Sequence, residues 1–183
     1  MDKNHKLLFH GAKTRIEGKL DIHKSRTNND LGQGFYTGER YEQAISFISG
    51  FEKSSVYIFD FKEEGLKGKK YNVNQEWMMT IAYYRGVLEE YENHPIIKKL
   101  IEKSCDCDYI IAPIADNRMF QIINSFIMGE ITDEQCKHCL AATNLGYQYV
   151  FKSDKAIKSL KMLERCYISE KEKEYYKKMR NSD

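Results

Sequence analysis

Residues 30–44, DLGQGFYTGERYEQA, set three glycines, Gly32, Gly34 and Gly38, around a Phe35-Tyr36 pair and ahead of a helical run. Such a loop either cradles a phosphate on backbone N–H groups or presents an aromatic ring to a flat ligand. The phosphate pattern fits poorly. No Gly-Lys-Ser/Thr follows, and Gly34 leads into Phe35-Tyr36 and not directly into a helix, as G-x-G-x-x-G would. Taken alone, the segment reads as a turn carrying two core aromatics. The cysteines form a second candidate, with Cys105 and Cys107 as C-x-C and Cys136 and Cys139 as C-x-x-C. Four thiolates can hold zinc tetrahedrally. Here, however, 136–139 falls inside a predicted helix with no glycine-rich knuckle, and cysteine is an ordinary small buried residue. His138 reads as a surface residue of that helix, and no metal centre is expected.

The elements that must position these residues follow from periodicity. Segment 6–11, KLLFHG, reads as a short strand, 12–29 as loop and 34–37 as a second short strand. Apolar Ala44, Ile45, Phe47 and Ile48 recur at helical spacing within 40–50, and Gly50 stops that helix. The aromatic and β-branched run 55–61, SVYIFDF, is a strand. A long helix is expected over 75–92, a turn at 94–95, a short helix over 96–104 and a buried strand over 109–114. Helices follow over 118–128 and 132–142, the latter with a Thr N-cap and acidic residues in its first turn. A strand over 147–152, a short helix over 154–163 and a last strand at 167–168 complete the pattern. Strands interspersed with helices in this way predict an α+β domain over 1–168. Residues 169–183, rich in Lys and Glu, read as a solvated terminal helix or a frayed tail.

Composition removes several classes. At 183 residues and 42% hydrophobic content the chain suits one domain with a single core. The formal charge of +2 gives no electrostatic argument about nucleic acid. No apolar run approaches the ~20 residues of a membrane span, and MDKNHKLLFHGAK lacks a signal-peptide core. An odd count of five cysteines suits a reducing compartment. A cytoplasmic protein with no membrane partner is the expectation.

Four pieces occur in order: FHG at 9–11, DLGQGFYTG at 30–38, APIADN at 112–117 and QYVF at 148–151. Together they resemble the ADP-ribosyltransferase fold of the diphtheria-toxin and poly(ADP-ribose) polymerase type. They are most similar to small bacterial ADP-ribosyltransferase-like proteins of toxin–antitoxin loci, over roughly residues 5 to 165. The resemblance implies two small packed β-sheets, a split β-sandwich with flanking helices and an NAD cleft. It implies NAD as substrate, a macromolecular target (protein or nucleic acid) and a small antitoxin protein as partner. The His-Tyr-Glu triad of that superfamily maps onto His10, Tyr36 and Gln148. The implied NAD-contacting set is His10, Gly11, Gly34, Phe35, Tyr36, Thr37, Arg85, Asp116 and Asn117.

That chemistry gives each residue a task. A neutral His10 would both donate to and accept from the adenine-side ribose hydroxyls. Gly11, lacking a side chain, would let its backbone approach the nicotinamide amide. Tyr36 would offer a face on which the nicotinamide stacks, while Gly32 and Gly34 clear space around it. Breaking the nicotinamide–ribose bond builds positive charge on the ribose, which a nearby acceptor stabilises. A glutamate would do this with full charge, whereas Gln148 offers a neutral amide carbonyl. Chain elongation is therefore not expected. Mono-transfer remains open, and so does a binding module without turnover on the same fold. A zinc-stapled nucleic-acid adaptor ranks below both. Taken singly, His10 reads as a capped strand-end residue, Gln148 as an exposed strand residue and Asp116 as a helix N-cap. Arg85 reads as a surface salt-bridge partner and Glu39 as a helix-start charge.

Overall fold

The computed structural model describes residues 5–141 and 145–182. Seven strands alternate with helices in them: β1 His5–Ala12, β2 Phe35–Gly38, β3 Ser55–Lys62, β4 Gly68–Lys70, β5 Tyr109–Pro113, β6 Tyr147–Phe151 and β7 Leu160–Tyr167. The helices are α1 Tyr41–Ile48, α2 Gln75–Tyr84, α3 Pro95–Cys105, α4 Asn117–Ile127, α5 Asp133–Ala141, α6 Asp154–Lys158 and α7 Glu170–Ser182. The α+β class is observed. Ala142, the last residue of the helix expected over 132–142, lies outside the described residues.

Where two packed sheets were expected, the strands form one seven-stranded sheet in the order β4-β5-β6-β2-β1-β3-β7. Only β4 and β5 are parallel; the other neighbours are antiparallel. The division survives as a seam. β1 pairs with β3 from His5↔Lys62 to Ala12↔Ser55, and β2 pairs with β6 from Phe35↔Phe151 to Gly38↔Gln148. Between β1 and β2 the sole registered pair is Phe9↔Gly38.

Because side chains alternate across a pleated sheet, register assigns every strand residue a face. On one face α1 buries Ala44, Ile45 and Ile48 against Val56 and Ile168. The same face, across the seam, carries Ile110, Ala112 and Val150 against Trp77, Met78 and Ile81 of α2 and Met119 and Ile123 of α4. The opposite face is a layer of aromatics: Phe35, Tyr57, Phe59, Phe61, Tyr109, Tyr149 and Phe151. Ile22, Ala156 of α6 and the half-buried Ile16 and Leu20 cover it. Each aromatic ring brings a large apolar area to this second core.

Three departures from the sequence expectation have local causes. The helix expected over 75–92 ends at Tyr84, because Gly86 adopts φ 89 and the Arg85 N–H closes the last turn on Ile81. A short 3-10 turn, Glu89–Tyr91, takes up the remainder. The helix expected over 154–163 stops at Lys158, since Leu160 onward pairs with β3 as an edge strand. β4 went unseen because it is three polar-flanked residues held by β5.

The charged terminus is a docked helix. Ser169 and Glu172 form a reciprocal cap: the Ser169 N–H donates to Glu172 Oε2 at 3.0 Å, and the Glu172 N–H to Ser169 Oγ at 3.3 Å. Tyr176 packs against the α1 cluster. Lys173, only 5% exposed, donates through Nζ to the Glu52 carbonyl at 2.5 Å and to Glu170 Oε1 at 2.8 Å. A buried ammonium held by two acceptors is costly to remove on one side only. Lys173→Ala is therefore expected to lower the unfolding free energy by about 1–3 kcal/mol, read as a shifted urea midpoint with an unchanged slope. An unshifted midpoint would mean that the Lys173 ammonium contributes nothing to holding α7.

Candidate functional site

The site is built at the seam. After Phe9↔Gly38 the register would next oppose His10 to Thr37 and Gly11 to Tyr36, but no further pairing forms. A side chain takes over instead. His10 Nδ1 lies 2.6 Å from the Tyr36 carbonyl oxygen, which can only accept, so Nδ1 carries the proton. The imidazole stacks on Phe35 with centroids 4.4 Å apart and planes at 28°. Burial lowers the His10 pKa below its ordinary 6.5, and the bond to the Tyr36 carbonyl opposes this in part. His10 is thus a neutral imidazole with Nε2 as a bare acceptor. The expected double role narrows to accepting alone, because the donor is spent inside the protein.

Tyr36 points to the other side of β2. Its hydroxyl donates to the Gly32 carbonyl at 2.6 Å and accepts from the Leu31 N–H at 3.2 Å. Burial pushes the phenol far above its ordinary range, with the Leu31 N–H opposing. The ring is therefore clamped to the glycine loop, whose Gly32 has φ 76. Lys152 closes the loop from beneath, donating to the Leu31 and Gln33 carbonyls, each at 2.7 Å. Burial lowers the Lys152 pKa.

The remaining predicted residues fall in separate surroundings. Gln148, 8% exposed, sits on β6 opposite Gly38 on one side and Ala112 on the other. Its Nε2 donates to the Pro113 carbonyl at 3.2 Å and lies 3.4 Å from Asp30 Oδ2. The exposed strand residue expected from sequence is in fact buried and bonded. Arg85 joins the same cluster. It contacts Asp30 Oδ1 through Nε at 2.8 Å and Nη2 at 2.5 Å, reaches the Ala115 carbonyl at 2.8 Å, and lies over the Phe120 ring at 4.4 Å. With side-chain exposures of 18% and 14%, the Arg85–Asp30 pair is an interior tie and not a surface salt bridge. Asp116 caps α4, accepting from the Met119 N–H at 2.7 Å, and Asn117 follows it in an exposed position.

Phe35 and Thr37 are buried on the aromatic face, where Thr37 Oγ1 lies 3.4 Å from the Tyr149 carbonyl. Two glycines are explained by packing. A Cβ on Gly11 would overlap the Ala44 carbonyl of α1, and one on Gly34 would stand 2.8 Å from the Phe151 carbonyl. The need for glycine at 11 thus comes from helix α1 crossing the strand. Glu39 Oε1 accepts from the Tyr147 N–H at 3.1 Å, so it extends the β2–β6 ladder from the position just before the N-cap of α1.

Asp30 and Lys152 escaped the sequence reading. Asp30 adjoins the glycine loop, a position that would have flagged it, but its partners lie 55 and 118 residues away. Among the described residues no group of three or more His, Cys, Asp or Glu is placed to hold a metal. Cys136 is buried in α5, 3.2 Å from the Met78 sulfur. No helix among the described residues is long and apolar enough to cross a membrane. An open groove of about 400 Å3 between Lys19-Leu20 and α6 shares none of the predicted residues.

The model of a family described as protein of unknown function (DUF3990) matches residues 7–162, and the chain belongs to that family. No curated protein and no solved structure matches the chain.

The neutral state of His10 has a pH signature. Its folded pKa lies below the unfolded value of 6.5, so the unfolded chain binds more protons in that window. Stability from this residue is full above 6.5 and is lost as pH falls through 6.5 toward the folded value. Urea midpoints of the wild type should fall more steeply between about pH 7 and 5 than those of His10→Gln. Equal slopes would show that His10 is not held neutral by burial.

Proposed function

We propose that this chain is an NAD-dependent mono-ADP-ribosyltransferase, acting as a bacterial toxin or phage-defence effector restrained by a small antitoxin protein. The supporting observation is convergence. The three strands that carry the motif residues, β1, β2 and β6, are neighbours in one sheet, and the His10 and Tyr36 segments meet at a seam where backbone pairing stops. Tyr36 and Gln148 share the helix face and His10 stands on the aromatic face, so a ligand must pass through the unpaired gap beyond Phe9↔Gly38 to meet all three.

The reaction is a substitution at the ribose carbon. The bond from nicotinamide nitrogen to C1′ breaks, and its electron pair leaves with nicotinamide. Positive charge develops on the ribose ring, and a nucleophile on the target attacks C1′ and gives up its proton. Nε2 of His10 accepts from an adenine-side ribose hydroxyl, Gly11 offers backbone groups to the nicotinamide amide, and Tyr36 gives the ring a flat surface. Gln148 contributes Oε1 as acceptor for a hydroxyl of the nicotinamide ribose, where it lowers the cost of the developing charge. Arg85 is not assigned to the phosphates, because Nε and Nη2 are engaged by Asp30 and Ala115.

The neutral amide at 148 favours a second reading, a module that binds NAD or ADP-ribose without turning it over. Pure protein incubated with labelled NAD and a cell lysate separates the two. Label is followed in protein and in nucleic acid, nicotinamide release is measured, and His10→Ala serves as control. The expected result is transfer by the wild type, reduced about tenfold or more in the variant. Binding without release would establish the module, and absence of both binding and release would end the NAD reading.

A further inference from the structure

Gln148 is oriented by its surroundings. An amide presents NH2 on one side and a carbonyl on the other, and the two groups facing its inner side are the Pro113 carbonyl and Asp30 Oδ2. Both are acceptors, so the NH2 must face them. Its two N–H bonds are then committed inward, and Oε1 is turned away. No donor among the described residues bonds Oε1. Arg85 engages only Oδ1 of Asp30, through Nε and Nη2, which leaves Oδ2 toward the amide.

We propose that Asp30 is the positioning residue of this site: it fixes the amide of Gln148 and polarises it, so that the Asp30–Gln148 pair does the work of a single glutamate. The carboxylate supplies negative charge from behind and the amide relays it as a strengthened carbonyl acceptor. The geometry also explains why glutamine stands here. A glutamate at 148 would set a second carboxylate against Asp30 Oδ2 and the Pro113 carbonyl, three acceptors with no proton between them. The identity of the hydroxyl that Oε1 receives rests on the ADP-ribosyltransferase reading; the orientation of the amide does not.

The test is a cycle of Asp30→Asn, Gln148→Glu and the double variant, read by thermal unfolding at pH 8 and by kcat and KM for nicotinamide release from NAD. In the double variant the new amide at position 30 can donate to the new carboxylate at position 148. The carbonyl of that amide still accepts from Arg85, so the pairing between positions 30 and 148 is restored in reverse, while the Pro113 carbonyl still faces a carboxylate. Gln148→Glu alone should lower Tm by about 5 °C, and adding Asp30→Asn should recover part of that loss. Asp30→Asn alone should cut kcat about tenfold with little change in KM, and the double variant should regain most of it. Additive Tm shifts with no recovery would overturn the pairing. A kcat for Asp30→Asn equal to that of the wild type would overturn the positioning role. If the wild type neither binds nor cleaves NAD, the enzymatic reading fails by itself, and the Tm cycle still decides whether Asp30 orients Gln148.

Discussion

One ion pair ties the molecule's separate pieces into a single region. Asp30 precedes the glycine loop, Arg85 ends α2, Ala115 follows β5 and Gln148 lies in β6, and all four meet through the Arg85–Asp30 contact and its neighbours. The loop has no ladder of its own, whereas β6 is paired on both sides and α2 is closed by its own last turn, so the pair moors the loop to two fixed elements. An interior pair with further hydrogen bonds on both members loses far more when one member is deleted than an exposed pair does. The arrangement therefore fixes where the loop begins and, through it, where Tyr36 points.

The seam is held by groups kept in their uncharged or fully bonded states. His10 stays neutral, the Tyr36 phenol stays protonated, and the Lys152 ammonium spends its protons on two loop carbonyls. Of the charges that remain, Arg85 is paired with Asp30 and Lys152 is held by two neutral carbonyls. Such a lining favours recognition of hydroxyls and flat rings by directed hydrogen bonds and contact area, with little long-range attraction. Backbone proximity sets the other limit, because side chains at positions 11 and 34 would strike α1 and β6.

How much of this was legible in sequence depended on the range of the interaction. Periodicity revealed β3 and β6, whose apolar runs are local signals, and the N-caps of α4 and α5 were visible because capping spans three residues. The end of α2 was missed although Gly86 stood in plain view, since a lone glycine inside an apolar pattern is ambiguous until its φ is known. β4 has no signal of its own and exists because β5 offers it an edge. The three motif residues, His10, Tyr36 and Gln148, were legible because each sits in a short local pattern. Asp30 and Lys152 were not, because their meaning lies in partners 55 to 121 residues away. The two-sheet expectation met a single sheet for a similar reason: one registered pair between β1 and β2 is a tertiary detail that no pattern encodes.

The order of strands also sets an order of assembly. β2 lies between β1, which gives it one registered pair, and β6, which gives it four positions from Phe35↔Phe151 to Gly38↔Gln148. The chain must therefore reach residue 151 before its second strand has a full partner. β1 and β3, whose partners are 43 to 57 residues apart, can pair once residue 62 is made, whereas the glycine loop waits for Lys152 to bond its carbonyls. Contacts of such long sequence separation form late, after loop-closure entropy has been overcome. On the ribosome, the emerging polypeptide would hold two separate pieces of sheet, β1-β3 and β4-β5, until β6 arrived to join them through β2.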